Sequence, residues 1–220
     1  MPQISEIKET KRGRYALFIE GEFAFSLDED TFVSAALHEE DVLEDWELED
    51  LRKKSDTRKA LDKAMDLLAL RDHAAGELYQ KLCRKFDPHS AAAAVAKAGE
   101  LGLLNDESVA RRRAAELLRK NRSRREISAD LSARGIDRAL AAAVLEELYN
   151  AGTDPDGEEA ENPELTAARA LVQRQYLRKL AEGKRQNVAA ALARRGFAHG
   201  IIRTVLDEAQ AGAEPETDAP

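Results

Sequence analysis

The segment ARRRAAELLRKNRSRRE, residues 110–126, concentrates the side chains best suited to hold another molecule: eight Lys and Arg between positions 111 and 125 against one acid, Glu116. A guanidinium presents a planar fork of N–H donors that matches phosphate and carboxylate alike, so the segment points to a polyanion or an acidic protein surface. On a helical wheel Ala110, Ala114, Leu117 and Leu118 share one side while Arg112, Arg113, Arg119 and Lys120 share the other, which directs that charge away from the core. Arg122, Arg124 and Arg125 carry the patch past the next corner, and Arg134 stands at the one after it. A second group, Arg174, Arg178, Lys179, Lys184, Arg185, Arg194 and Arg195, occurs later in the chain. A solvated arginine-rich face is the plain alternative; the density of positive charge favours a binding surface.

Signals for catalysis are missing. The chain has no phosphate-binding G-x-x-x-x-G-K-[ST] loop, no G-x-G-x-x-G, no H-E-x-x-H and no nucleophile elbow, so the expectation is a protein without enzymatic activity. Paired acids such as Glu39-Glu40 and Glu146-Glu147 read as solvated helix faces rather than general acid-base pairs. Cys83 is the only cysteine; Arg84 and Lys85 beside it could lower a thiol pKa, but a single cysteine in a helix reads first as packing. The histidines at 38, 73, 89 and 199 lack ligand spacing, so neither a metal nor a cofactor is expected. No apolar run approaches the roughly 20 residues of a membrane span, and MPQISEIKETKRGR lacks the apolar centre of a signal peptide. The expected setting is the cytoplasm, with no membrane partner.

The net charge of −8 is strongly segregated. Residues 1–60 carry −7, 61–150 carry +2, 151–163 carry −5, 164–205 carry +7 and 206–220 carry −5. Acidic ends and an acidic linker therefore surround a basic body, which fits local rather than indiscriminate binding of anions.

The elements that would position these charges fall into two kinds. ISEIKET, RYALFIE and EFAFSLD read as three short strands, with Lys11-Arg12-Gly13 and Glu20-Gly21 as turns, and Phe23, Phe25 and Leu27 as the apolar face of the third. Residues 28–56 read as acidic helix, with Val42, Leu43, Trp46 and Leu48 as its buried minority. From about Ala60 the chain is helical and periodic. Ile127, Leu131, Gly135 and Val144 have counterparts in Leu78, Leu82, Phe86 and Val95, and again in Val188, Leu192, Gly196 and Val205. A basic residue precedes each corner: Lys85, Arg134 and Arg195. Leucine-type residues at i and i+4 form a buried stripe, and Gly135 and Gly196 take the left-handed conformation that ends a helix. Asp137 caps the next helix, whereas the first corner uses Asp87 as cap and Pro88 at the first helical position. A preceding helix, near 58–71, 106–120 and 163–182, completes each unit.

The expected fold is mostly α: tandem three-helix repeats forming an elongated curved array, with a small N-terminal β-meander plus helix. Its segments are a β-containing extension at 1–56, repeats at 57–105, 106–150 and 164–209, an acidic linker at 151–163 and an acidic tail at 210–220.

The residues resemble the RecX family of bacterial regulatory proteins over nearly the whole chain. ALDKAMDLLALRDHAAGELYQKL, LGLLNDESVARRRAAELLRK, ISADLSARGID and VAAALARRGFAHGIIRTVL carry the resemblance by their order and spacing. GRYALFIEGEFAFSLDED is similar to the extension that some members carry ahead of the repeats. The family pattern usually has Ser or Thr where this chain has Ala74 and an aromatic where it has Val109, and the linker here is long. The resemblance implies a modulator of the RecA recombinase that lies in the groove of the RecA filament on single-stranded DNA and restrains its ATPase, strand exchange and coprotease functions. The residues expected to meet that partner are Arg112, Arg113, Arg119, Lys120, Arg122, Arg124, Arg125, Arg134, Arg178, Lys184, Arg185, Arg194 and Arg195, on a chain acting as a monomer. The competing reading is a helical protein acting directly on duplex DNA, since helix-turn-helix units also join short helices by a glycine turn. The helices that would read bases, AAAAVAKAGE and RALAAAVLEEL, are poor in the side chains that do so.

Overall fold

The computed structural model describes residues 1–11, 13–150 and 162–211. The expected acidic linker lies outside them apart from Asn162 and Pro163, as does the expected tail apart from Gln210 and Ala211. Three strands and eleven helices are present among the described residues, and the chain divides between Asn105 and Asp106 into two compact units.

The first unit begins with an antiparallel sheet in the order β1 (Ile4–Glu9), β2 (Arg14–Ile19), β3 (Glu22–Asp28). Leu17 in the middle strand faces Ile7 across one ladder and Phe25 across the other, and Ile4, Leu17, Phe25 and Leu27 are buried together. The expected apolar face of β3 is broken at one point: Phe23 is 61% exposed. β2 advances one residue from Leu17 to Phe18 while β3 moves two, from Phe25 to Phe23, so Ala24 is the extra residue of a bulge. The bulge reverses the alternation, and Phe23 stands edge-on to Phe18 with centroids 5.9 Å apart.

Residues 28–56 also differ from a single acidic helix. Helix α1 (Glu29–Ala35) stops at Ala36, which has φ 49°, and a non-helical stretch leads to α2 (Asp45–Leu70). That stretch lies along the free edge of β1: Ile4 N–H donates to the Asp41 carbonyl at 2.9 Å and Glu40 N–H to the Ile4 carbonyl at 2.8 Å. Extended backbone alternates sides, so Leu43 is buried while Val42 is turned out; Trp46, in the first turn of α2, also faces solvent at 69% exposure. The backbone of this polar segment finds its hydrogen bonds on a strand edge, which outweighs a weak helical pattern. Helix α2 then runs without a break through residue 56, where the extension was expected to end. Buried Ser55 on α2 donates its hydroxyl to the Ser26 carbonyl at 2.6 Å and ties the sheet to the helix.

Helices α3 (Ala75–Leu82) and α4 (Pro88–Glu100) complete the first three-helix group with α2. Ala60, Ala64, Ala91 and Ala94 are buried with Leu78 and Leu82; small residues let α2 and α4 approach closely. Asp87 caps α4, accepting from the backbone N–H of His89 and of Ser90 at 3.0 Å each. Just ahead of α3, buried His73 places Nδ1 2.9 Å from the Arg71 carbonyl and Nε2 3.0 Å from Lys81 Nζ. The lysine can only donate, so the ring is neutral with its proton on Nδ1. Burial, followed by the charges of Arg71 and Lys81, holds the imidazole pKa below its ordinary value, against the opposing hydrogen bond to the Arg71 carbonyl and the weaker pull of Glu77. The unfolded chain therefore takes up this proton first. The His73 contribution to stability is complete above the unfolded pKa of about 6.5 and declines as pH falls below it. Urea midpoints at neutral and mildly acidic pH should show this loss, and His73→Gln should flatten it; an unchanged slope in the variant would remove His73 as its source.

The second unit holds two further groups. Helices α5 (Asp106–Arg119), α6 (Arg124–Ala133) and α7 (Arg138–Asn150) pack on one another and bury Ile127, Leu131 and Val144. Helices α8 (Pro163–Gln175), α9 (Leu177–Ala181), α10 (Arg185–Arg194) and α11 (His199–Ala211) form the last, around Val188, Leu192 and Val205. Gly135 and Gly196 turn these corners with φ 71° and 84°. Asp137 caps α7 through the N–H of Ala139 at 2.8 Å and of Leu140 at 3.2 Å.

Candidate functional site

Ser123 is the N-cap of α6 and is fully buried. Its hydroxyl accepts from Glu126 N–H at 3.1 Å and donates to the Arg195 carbonyl at 2.6 Å, joining the α5–α6 corner to the α10–α11 corner. The contact is close: a Cβ on Gly196 would lie 2.9 Å from Arg125 Cβ and 3.0 Å from Ser123 Oγ. The corner that bears Arg124 and Arg125 in one repeat and the corner that bears Arg194 and Arg195 in the other are thus joined through the Arg195 carbonyl and the Gly196 backbone.

A cavity of about 720 Å³ opens beside it, bordered by Arg124, Arg125 and Arg138, with Ile136 and Leu145 as its apolar floor and Glu164 in its wall. Arg124 pairs with Glu146 and lies 5.4 Å from the Tyr149 ring centroid, while its backbone N–H donates to Glu164 Oε1 at 3.2 Å. Burial raises the Glu164 carboxyl above its ordinary pKa, and burial beside Glu164 pushes the Tyr149 phenol to about 12. The Tyr149 hydroxyl has no hydrogen-bond partner among the described residues.

Other expected contact residues are tied down inside the chain. Arg113 does not point away from the core: Nε and Nη2 meet the two oxygens of Asp130 at 2.8 Å each, and Nη1 meets Glu116 at 2.9 Å. Arg134 Nε reaches the same Asp130 at 2.9 Å. The Arg113 hydrogen bonds, then those of Arg134, hold the Asp130 carboxyl at about 2. Lys120, then Arg113, does the same for Glu116, also at about 2. Arg122 pairs with Glu126 at 3.3 Å, Arg178 and Lys184 both reach Glu182, and Arg185 binds Asp207 at 2.6 Å and also Gln210. Arg195 Nη2 lies 3.2 Å from Gln175, and Arg194 Nε lies 3.3 Å from the Ala190 carbonyl of its own helix. Arg112 is exposed on α5 and has contacts within the chain; Arg119 and Arg125 are exposed with no ion pair to a described residue. Sequence reading passed over Arg138 and Glu164. Arg138 comes directly after the capping Asp137, a position that sends its side chain outward, and Glu164 comes after the Asn162-Pro163 helix start; neither signal distinguishes a cavity wall from an ordinary first turn.

Among the described residues no three His, Cys, Asp or Glu side chains are placed to hold a metal ion, and no helix is long and apolar enough to cross a membrane. The arrangement suits recognition of anionic groups.

Comparison with known proteins bears on the identity of this architecture. Residues 60–97, from within α2 to within α4, match the family model for the first three-helix domain of RecX. A regulatory protein RecX of Caldanaerobacter subterraneus subsp. tengcongensis is 31% identical over 144 residues, covering 65% of this chain and 73% of the relative. The chain belongs to the RecX family of regulatory proteins. The RecX of Listeria monocytogenes serovar 1/2a is 22% identical over 210 residues, 92% of this chain and 73% of that protein. The match to RecX of Lactobacillus gasseri, 33% identical, spans only 42% of the relative. A crystal structure of a regulatory protein RecX shares the fold over 94% of this chain and all of that one, with TM-score 0.64 at 18% identity. RecX from Lactobacillus salivarius gives 0.57 over 71% of this chain and 97% of its own, at 19% identity. The three-helix groups are thus RecX architecture, and the junction at Ser123 and Arg195 lies between two of them.

Proposed function

We propose that this RecX-family chain is a non-enzymatic inhibitor of the RecA recombinase that binds, as a monomer, in the groove of the RecA filament on single-stranded DNA. The observation that supports the reading is the junction at Ser123 and Arg195, which joins the basic corners of the second and third repeats within one compact unit. A protein lying along a repeating filament gains when several modest contacts are made by one molecule, because each later contact is intramolecular. Arginines suit both chemistries such a filament offers, carboxylates on protein and phosphates on DNA. Direct reading of duplex DNA has no comparable support. The exposed middle of α7 is Ala139, Ala142, Ala143, Glu146 and Glu147, which leaves Arg138 and Asn150 at its two ends as the side chains best suited to the base edges of a major groove.

The test is the single-stranded-DNA-dependent ATPase of RecA, titrated with this protein at several salt concentrations. Saturable inhibition below one molecule per RecA protomer is expected, weakening steeply with salt. Reversing Arg119 and Arg194 together to Glu should raise the half-inhibiting concentration about tenfold, equivalent to ~1.4 kcal/mol, with helicity unchanged. Unaltered hydrolysis at saturating protein would defeat the proposal.

A further inference from the structure

The trough beside the repeat junction has a more specific shape than a basic surface. We propose that it is a docking site for an acidic segment of a partner protein, with two carboxylates about 10 Å apart flanking an apolar side chain; the choice of a protein partner rests on the filament-regulator reading. Helix α6 presents Arg125, Ser128 and Ser132 to the trough, and α7 presents Arg138, Ala142 and Leu145. The helices run antiparallel, since Arg124 at the start of α6 pairs with Glu146 near the end of α7. Arg125 and Arg138 therefore stand at opposite ends, separated by the length of α6 from 125 to 132, about 10 Å at the helical rise. Between them the walls are alanine and serine, and the floor is Ile136 and Leu145, each 4% exposed.

Charge complementarity selects the occupant. Neither Arg125 nor Arg138 has an ion pair among the described residues, whereas Arg113, Arg122, Arg124 and Arg134 are all engaged by carboxylates of the chain. In a polyproline II segment, with three residues per turn and a rise of about 3.1 Å per residue, residues i and i+3 lie on one side about 9 Å apart, so carboxylates with that spacing reach both guanidinium groups while a side chain between them meets the floor. Nucleic acid fits less well. Among the described residues no aromatic lines the trough to stack a base, and the apolar floor would strip water from a phosphate without replacing its hydrogen bonds.

The full chain, labelled with nitrogen-15, would be titrated with the blocked peptide acetyl-Glu-Leu-Ser-Glu-amide and, separately, with an oligodeoxythymidine. Saturating amide shifts at Ser128, Ser132 and Ala142 are expected with the peptide and not with the oligonucleotide. Affinity should fall at least tenfold in Arg125→Glu/Arg138→Glu and in Ala142→Leu, which fills the trough from an exposed helical position; Arg84→Glu in the first unit should bind as the parent does. Absence of saturable peptide shifts, or shifts at these amides from the oligonucleotide alone, overturns the assignment. The RecA ATPase separates this proposal from the one it rests on. Full inhibition by Arg125→Glu/Arg138→Glu overturns the trough and spares the regulator. A parent chain that binds the peptide at the trough yet leaves hydrolysis untouched supports the trough and removes the regulator.

Discussion

Gly196→Ala should destabilise the second unit by about 2 to 3 kcal/mol. The φ of 84° alone costs an alanine ~1 kcal/mol or slightly more. The remainder comes from overlap, because the new methyl would sit 2.9 Å from Arg125 Cβ and 3.0 Å from Ser123 Oγ, and overpacking of this kind costs roughly 1 to 3 kcal/mol. Arg125 Cβ cannot move aside without shifting the first turn of α6, which holds the Ser123 cap and its bond to Arg195. Gly183 is the matched control: its φ of 73° is equally left-handed, but nothing lies within 4 Å of its Cβ position. Gly183→Ala should therefore show only the conformational cost. Thermal unfolding of both variants decides the matter. A fall of roughly 10 °C or more is expected for Gly196→Ala and less than half that for Gly183→Ala; equal falls would mean that the junction yields without cost.

Asp130→Ala carries the other large expected loss, about 2 kcal/mol. Asp130 receives three guanidinium hydrogen bonds, two from Arg113 and one from Arg134, whose side chains are only 23% and 25% exposed. Removing the carboxylate leaves two partly buried cations without their shared partner, which costs more than losing an exposed pair, although remaining solvent access keeps it below the 3 to 5 kcal/mol typical of fully buried pairs. Lys120→Ala, which removes an exposed partner of Glu116, should leave the urea midpoint nearly unchanged. The pH dependence has a definite sign. Asp130 titrates at about 2 in the fold against about 3.9 in an unfolded chain, so its contribution is whole above about pH 4 and disappears as pH falls through 2. Urea midpoints between pH 2 and pH 4 should fall steeply for the parent chain and less so for Asp130→Ala. Parallel curves would show that the network contributes nothing to folding.

Features that depend on near neighbours are legible in the order of residues. Buried stripes at i and i+4, the aspartate caps at 87 and 137, and the left-handed glycines at 135 and 196 each express backbone geometry within a few residues, so each can be read locally. The three strands and the Glu20-Gly21 turn are legible for the same reason. The density of arginine is equally plain, but its use is not. A helical wheel separates core from surface; it does not distinguish an arginine facing solvent from one facing another helix, and Arg113 faces α6.

Pairings between distant residues belong to the tertiary structure alone. Asp130 is 17 positions from Arg113 and the Arg195 carbonyl is 72 from Ser123, distances at which no periodicity records who meets whom. The path of residues 40–43 along β1 is hidden likewise, because an unpaired strand edge offers hydrogen bonds that no local propensity reports. Residue order was enough to specify the repeated helical units, their corners and the basic character of their surfaces. Packing of one corner against another selects which arginines border the trough and which are spent on the chain's own carboxylates, since both outcomes depend on close contacts across the fold.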